Sequence, residues 1–80
     1  MPRYRISLTN SEFESSDEAN YPSIQAATKA AIAGASQVVS DSIAKGALAS
    51  SVEMEIEEEG RVVARKVVTL SVADLSGGKV

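Results

Sequence analysis

Apolar and small residues recur at helical spacing between Pro22 and Gly46, the longest periodic stretch of the chain. On a wheel of about 3.6 residues per turn, one broad face collects the apolar positions, and another layer of structure must cover that face. Ser23 is placed to cap the first turn, and Pro22 resists extension of the helix upstream. Lys45 and Gly46 form the matching stop signal. The apolar face consists of Ile24, Ala27, Ala31, Ile32, Ala35, Val38, Val39 and Ile43.

Strict alternation of apolar and polar residues predicts two strands, one before and one after the helix. They cover residues 3–9 and residues 52–57. Each strand is expected to bury one face and to leave the other in water. The inward residues are Tyr4, Ile6 and Leu8 in the first strand and Val52, Met54 and Ile56 in the second.

Residues 10–20 connect the first strand to the helix. Asn10 and Ser11 are typical turn residues, and we expect residues 12–14 to return as a short strand that places Phe13 on the core. Residues 15–20 are polar and acidic, so they are predicted to form a surface loop that leads into the helix.

A hairpin is predicted after the second strand, because Gly60 suits the left-handed position of a three-residue loop at residues 58–60. The returning strand would then run over residues 61–72. Opposite charges pair across the solvent side in this register, Glu57 with Arg61 and Glu53 with Arg65. Lys66 falls among the inward residues, where it would need a sheet edge to reach water; a two-residue loop would place Arg65 inside instead. The other inward residues are Val62, Ala64, Val68, Leu70 and Val72.

The order of these elements predicts an α+β fold of two layers. An antiparallel sheet of three to four strands, in the order β-β-α-β-β along the chain, would carry one long helix packed on one face. Residues 1–73 would form a single domain, and residues 74–80, which end in Ser-Gly-Gly-Lys-Val, would form a flexible tail.

The composition is that of one small folded domain: 80 residues, 44% of them hydrophobic and 24% charged, with a formal net charge of −3. The core of so short a chain is modest, and oligomerisation would strengthen it. There is no Cys, which excludes disulfides and thiolate metal sites and agrees with a reducing compartment. The amino terminus lacks a signal-like apolar run, and no apolar run approaches the roughly 20 residues of a membrane span. We therefore expect a cytoplasmic protein.

Catalysis is not expected from this set of side chains. Without His or Cys, only carboxylates, hydroxyls and amines remain as candidate acids, bases or nucleophiles. A run of carboxylates lies on the second strand and its turn, where a solvated face explains it, and it lacks the looped spacing that wraps calcium. We expect no enzyme activity, no cofactor, no metal and no small-molecule ligand. The run is Glu53, Glu55, Glu57, Glu58 and Glu59.

Three short segments carry a family resemblance: Met-Pro-Arg-Tyr at residues 1–4, Tyr-Pro-Ser-Ile-Gln-Ala-Ala at residues 21–27, and Glu-Glu-Glu-Gly-Arg-Val-Val at residues 57–63. They resemble a family of short bacterial proteins, common in alphaproteobacteria, that begin Met-Pro-Arg-Tyr and form a domain of unknown function. The resemblance covers most of the chain. It implies a shared fold and a bacterial cytosolic setting, and it implies no activity and no functional residue.

Two surfaces are candidates for binding a partner. Small residues on the outer face of the helix would permit a second helix to pack closely, and a glycine in mid-helix favours such contact. The last strand could pair with another chain if it lies at a sheet edge. We therefore predict a protein-interaction module or a homodimer. The candidate residues are Ala30, Gly34 and Gln37 on the helix and Val68, Leu70 and Val72 on the strand.

An RNA-binding or antitoxin-like regulator is the alternative function. The layout of the opening strand, hairpin and helix is similar to antitoxins of the HicB kind. Basic residues could also gather on one exposed sheet face, although neighbouring glutamates would neutralise much of that patch. The net negative charge and the lack of exposed aromatic residues for base stacking argue against nucleic acid. The basic residues concerned are Arg3, Arg5, Arg61, Arg65 and Lys66.

Overall fold

The computed structural model describes residues 1–75, which form one helix and four strands. The elements are β1 (Arg3–Asn10), β2 (Phe13–Asn20), α1 (Ile24–Ala44), β3 (Ala49–Glu58) and β4 (Arg61–Ser71). The strands form a single sheet in the order β2-β1-β3-β4, with every neighbouring pair antiparallel. The predicted α+β class and the chain order β-β-α-β-β are confirmed.

The helix α1 packs mainly on β3 and β4 and touches β1 less. Ser23 caps it as predicted, because the Ser23 hydroxyl accepts from the Ala26 N–H at 3.1 Å. Alanines form most of the buried side of the helix, so its backbone can lie close to the sheet. Ile32 was predicted on the buried face, but 40% of its surface is exposed. The core consists of Tyr4, Leu8, Ala27, Ala31, Ala35, Val39, Val52, Met54 and Ile56.

The strand β2 corrects the prediction for residues 12–20. Glu12 lies in the turn, where its N–H donates to Asn10 Oδ1 at 2.9 Å, and residues 13–20 all pair with β1. The predicted surface loop at residues 15–20 is therefore wrong. Phe13 does not enter the core and is 38% exposed, because it faces the helix side of the sheet at the edge that α1 does not reach.

The β3–β4 hairpin has a two-residue loop, Glu59-Gly60, so the predicted three-residue loop is wrong. Both loop residues have a positive φ, 53° at Glu59 and 79° at Gly60, as a type I′ turn requires. Beyond β4, Val72 still donates its N–H to the Leu48 carbonyl at 2.8 Å. The predicted tail falls mostly on residues 76–80, which lie outside the described residues.

A β-bulge at Val63 shifts the rest of the hairpin. Val62 faces Glu57 on the side of the sheet away from α1 and is 50% exposed, so its predicted inward position is wrong. Val63 packs against the core instead. Because of the extra residue, Arg65 stays on the solvent side although the loop has only two residues. It faces Glu55, whereas the prediction paired it with Glu53.

Candidate partner-binding edge

The strand β4 forms one edge of the sheet, and no strand among residues 1–75 pairs with its outer side. It is the longest of the four strands, with 11 residues, and it runs from the hairpin loop to Ser71. Several apolar side chains along it are exposed, which is unusual for a free edge. They are Val62 (50%), Val67 (59%) and Leu70 (38%), followed just after the strand by Val72 (51%).

The free side of β4 offers backbone groups from alternate residues. Neighbouring residue pairs of an antiparallel ladder alternate between hydrogen-bonded and non-bonded pairs. The bond between Val72 and Leu48 sets this alternation, and it directs the N–H and C=O groups of the even-numbered residues 64–70 toward β3. The corresponding groups of Arg65, Val67 and Thr69 therefore point away from the sheet and are available to another strand.

Two cations lie in the middle of β4, one on each face of the sheet. Arg65 faces the side away from α1, where its guanidinium lies 3.4 Å from Glu55 and 3.8 Å from Glu53. Lys66 lies opposite Met54 on the helix side, as predicted, and its side chain is exposed at the edge. An inward charge of this kind hinders unselective pairing of an edge strand.

A shallow apolar depression adjoins this edge on the helix side. Its lining residues include Ala64 of β4 and Ile32 of α1. Lys29 and Lys66 also line it, so the depression combines apolar side chains with two positive charges. A strand added to β4 would place its own helix-side residues next to this surface.

The helix residues that the sequence suggested as a contact surface do not share one exposed face. A Cβ atom at Gly34 would lie 3.4 Å from Leu8 Cδ1, so Gly34 faces the sheet and its predicted place on the outer face is wrong. Ala30 is half-buried. Gln37 is exposed, and its amide donates to Asp41 Oδ1 at 3.1 Å along the helix.

The suggested strand residues do lie at the edge, although not equally exposed. Val68 packs against the core, whereas Leu70 and Val72 are accessible. Sequence reasoning missed Val67, the most exposed apolar residue of β4, because it assigned that position to a purely solvated face. The misfit of Lys66 among inward positions was the signal that this strand forms an edge.

The sheet face away from α1 is a network of charges, not a basic patch. Arg3 donates to Glu18 at 3.0 Å and Arg5 to the same carboxylate at 3.4 Å. The hydrogen bond and charge of Arg3, assisted by Arg5, lower the pKa of Glu18 below its ordinary value of 4.5. Lys66 lies on the opposite face, as does Arg61, which faces Glu58. The predicted gathering of all five cations on one face is therefore wrong.

Two further features are absent from residues 1–75. No group of three or more acidic, His or Cys side chains in this part of the chain is arranged to hold a metal ion. No helix within residues 1–75 combines the length and the apolar character that crossing a membrane requires.

Comparison with known proteins gives a family and no function. A family model described as a domain of unknown function, DUF6894, matches residues 3–69, which cover the helix and all of the strands except the last two residues of β4. No curated protein and no solved structure matches the chain.

Proposed function

We propose that the chain, which belongs to the DUF6894 family, is a small non-enzymatic protein-interaction module that binds a strand of its partner along the outer edge of β4. The observation that carries this proposal is the length of that edge, 11 residues, combined with its exposed apolar side chains. Backbone hydrogen bonds would supply affinity, and side chains on alternating positions would supply selectivity.

The contrast between the two edges of the sheet supports the assignment. The other edge, β2, carries Glu14, Asp17 and Glu18, and such charges discourage pairing with apolar strands. On β4 the exposed residues Val67 and Leu70 follow the two central cations along the strand, where a partner strand can cover them. Both edges have free backbone groups, but β4 offers more apolar area to bury, since the exposed large apolar side chain of β2 is Phe13 alone.

The charges of the open sheet face weigh against RNA as the partner. Its arginines are held by carboxylates of neighbouring strands, and the carboxylates there outnumber them, which repels a phosphate backbone. The face consists chiefly of Arg3, Arg5 and Arg65 together with Glu14, Glu18, Glu53, Glu55 and Glu57.

Selection of strand-forming peptides tests the proposed function. A displayed library of extended peptides of about ten residues, the upper end of the usual strand length, is selected on the wild-type chain. The selected peptides are then measured against the double variant Val67→Lys/Leu70→Lys. A matched control is Leu48→Lys, because Leu48 is 72% exposed and precedes β3 outside the edge.

We expect the selected peptides to bind the wild-type chain and the Leu48→Lys control alike, and to lose about tenfold or more in affinity for the double variant. Circular dichroism verifies that all variants remain folded. Peptides that bind the double variant as tightly as the wild type, or a selection that yields no binding peptide, would overturn the proposal.

A further inference from the structure

The two edges of the sheet carry opposite charges. Between Arg61 and Ser71, β4 has three cations and no carboxylate, since its charged residues are Arg61, Arg65 and Lys66. Between Phe13 and Asn20, β2 has three carboxylates and no cation, since its charged residues are Glu14, Asp17 and Glu18. Resting on the proposed function of the β4 edge, we propose that its partner strand is β2 of a second copy of this chain, added head-to-tail.

The strand directions allow a second copy to extend the sheet by a sideways displacement, without being turned over. In the order β2-β1-β3-β4 each neighbour is antiparallel, so β2 and β4 run in opposite directions. A second copy displaced sideways thus brings its β2 antiparallel to β4, with both helices on the same face. The helix α1 lies over β3 and β4 and leaves β2 uncovered. The bare side of the incoming β2 therefore comes to lie beside Ile32 and the apolar depression next to β4.

The backbone groups of the two edges match in one register. The bond from the Tyr21 N–H to the Pro2 carbonyl, 3.1 Å, sets the alternation in β2. It directs the N–H and C=O groups of Glu14, Ser16 and Glu18 outward. These residues can pair with Thr69, Val67 and Arg65, whose groups also point outward.

The same register places side chains of opposite charge across from each other, and it does the same for two apolar side chains. On the open face it sets Arg65 opposite Glu18. On the helix side it sets Lys66 opposite Asp17 and Leu70 opposite Phe13, two exposed apolar residues that then cover each other. Opposite charges directly across neighbouring strands stabilise a sheet, as do pairs of large apolar side chains.

Pairing of β4 with β4 of another copy would provide no opposite charges for the cations of β4. It would bring two sets of Arg65 and Lys66 into one ladder to which β4 contributes no carboxylate. Like charges at such positions destabilise the sheet. A head-to-tail contact, in contrast, leaves a free edge at each end, so assembly continues past the dimer into a ring or an open chain.

Charge reversal on the two edges tests the inference. The solution mass is measured by light scattering over a concentration series for the wild type, Asp17→Lys, Lys66→Glu and an equimolar mixture of the two variants. Both residues are exposed, so either change leaves the core intact. Lys45→Glu is the matched control, because Lys45 is an exposed lysine at the end of α1 and belongs to neither edge strand.

We expect the wild type and Lys45→Glu to grow past the dimer as concentration rises. Each edge variant should need about tenfold more protein for the same mass, the equivalent of about 1.4 kcal/mol. The mixture should regain wild-type association, because the lysine introduced by Asp17→Lys then meets the glutamate introduced by Lys66→Glu, while the unaltered edges of the two variants also pair.

Two results would overturn the head-to-tail contact and leave the proposed function standing. If the wild type stays monomeric while the selected peptides still require the β4 edge, the partner strand belongs to a different protein. A dimer that Asp17→Lys does not weaken would make the partner strand β4 itself. Failure of the peptide selection would reject the proposed function separately.

Discussion

Gly34 of the helix faces Leu8 of β1, and a Cβ atom at Gly34 would lie 3.4 Å from Leu8 Cδ1. Leu8 belongs to the buried core and is 9% exposed. The glycine therefore sits where the helix and the sheet approach closely, and a single methyl group just fits between them. Gly34 therefore lies on the sheet side of α1, and not on the outer face that a second helix would use.

Substitutions at Gly34 should separate helix propensity from packing. We expect Gly34→Ala to raise the free energy of unfolding by up to about 1 kcal/mol, because alanine favours the helix and its Cβ makes an ordinary contact with Leu8. Gly34→Leu should lower it by about 1–3 kcal/mol through overpacking. Urea unfolding measures both, with Ala33→Leu at an exposed helix position as the control. Equal stability of the two leucine variants would contradict the inward position of Gly34.

Most of the fold could be predicted because α1, β1 and β3 each bury one side, and burial imposes a period on the sequence. The strand β2 has no such period. The helix does not reach β2, so nearly all of its side chains are exposed on both faces of the sheet and show no alternation of apolar and polar residues. Backbone hydrogen bonds to β1 hold it in the sheet, and these leave no trace in the pattern of side chains.

The candidate site could be predicted only in part. Its placement on the last strand could be predicted because Lys66 does not fit a buried position. The bulge at Val63 was hidden, since Val62 and Val63 are identical in type and either could face the core. The inward direction of Gly34 also depends on how α1 is rotated. Its buried line runs through Ala27, Ala31 and Ala35, small residues that a hydrophobic wheel weights less than Ile32.

The hairpin turn should respond to substitutions that suit positive φ. Asparagine is a preferred residue at the first central position of a type I′ turn, where Glu59 has φ 53°. We expect Glu59→Asn to raise the free energy of unfolding by about 0.5 kcal/mol. Gly60→Ala should lower it by about 1 kcal/mol, because Gly60 has φ 79° and a Cβ is disfavoured there. Thermal unfolding gives both values, and an unchanged Gly60→Ala variant would contradict the turn type.

The helix cap should contribute measurably to stability. Ser23 Oγ accepts the Ala26 N–H at 3.1 Å, so Ser23→Ala leaves that donor without its side-chain partner. We expect a loss of about 1 kcal/mol in the free energy of unfolding. Ser40→Ala is the control, because Ser40 is exposed within α1, where alanine only improves helix propensity. Similar losses in the two variants would show that the cap is not the cause.

The ion pairs of Glu18 with Arg3 and Arg5 should make stability depend on pH. Arg3, through its hydrogen bond and its charge, lowers the pKa of Glu18 in the folded chain below the ordinary value of 4.5. The unfolded chain therefore binds the proton more readily, so this contribution is fully present above about pH 4.5 and disappears as the pH falls through the lowered folded pKa. Glu18→Gln removes it at every pH.

We expect the difference in unfolding free energy between the wild type and Glu18→Gln to shrink steadily as chemical denaturation is repeated at decreasing pH below 4.5, the ordinary pKa of this carboxyl. Salt should reduce the difference near neutral pH, because both partners are exposed and screened. The control introduces Glu18→Gln into an Arg3→Gln/Arg5→Gln background. In that background the effect of Glu18→Gln on the unfolding free energy should no longer depend on pH. A dependence that persists without the two arginines would assign it to another carboxyl group of the chain.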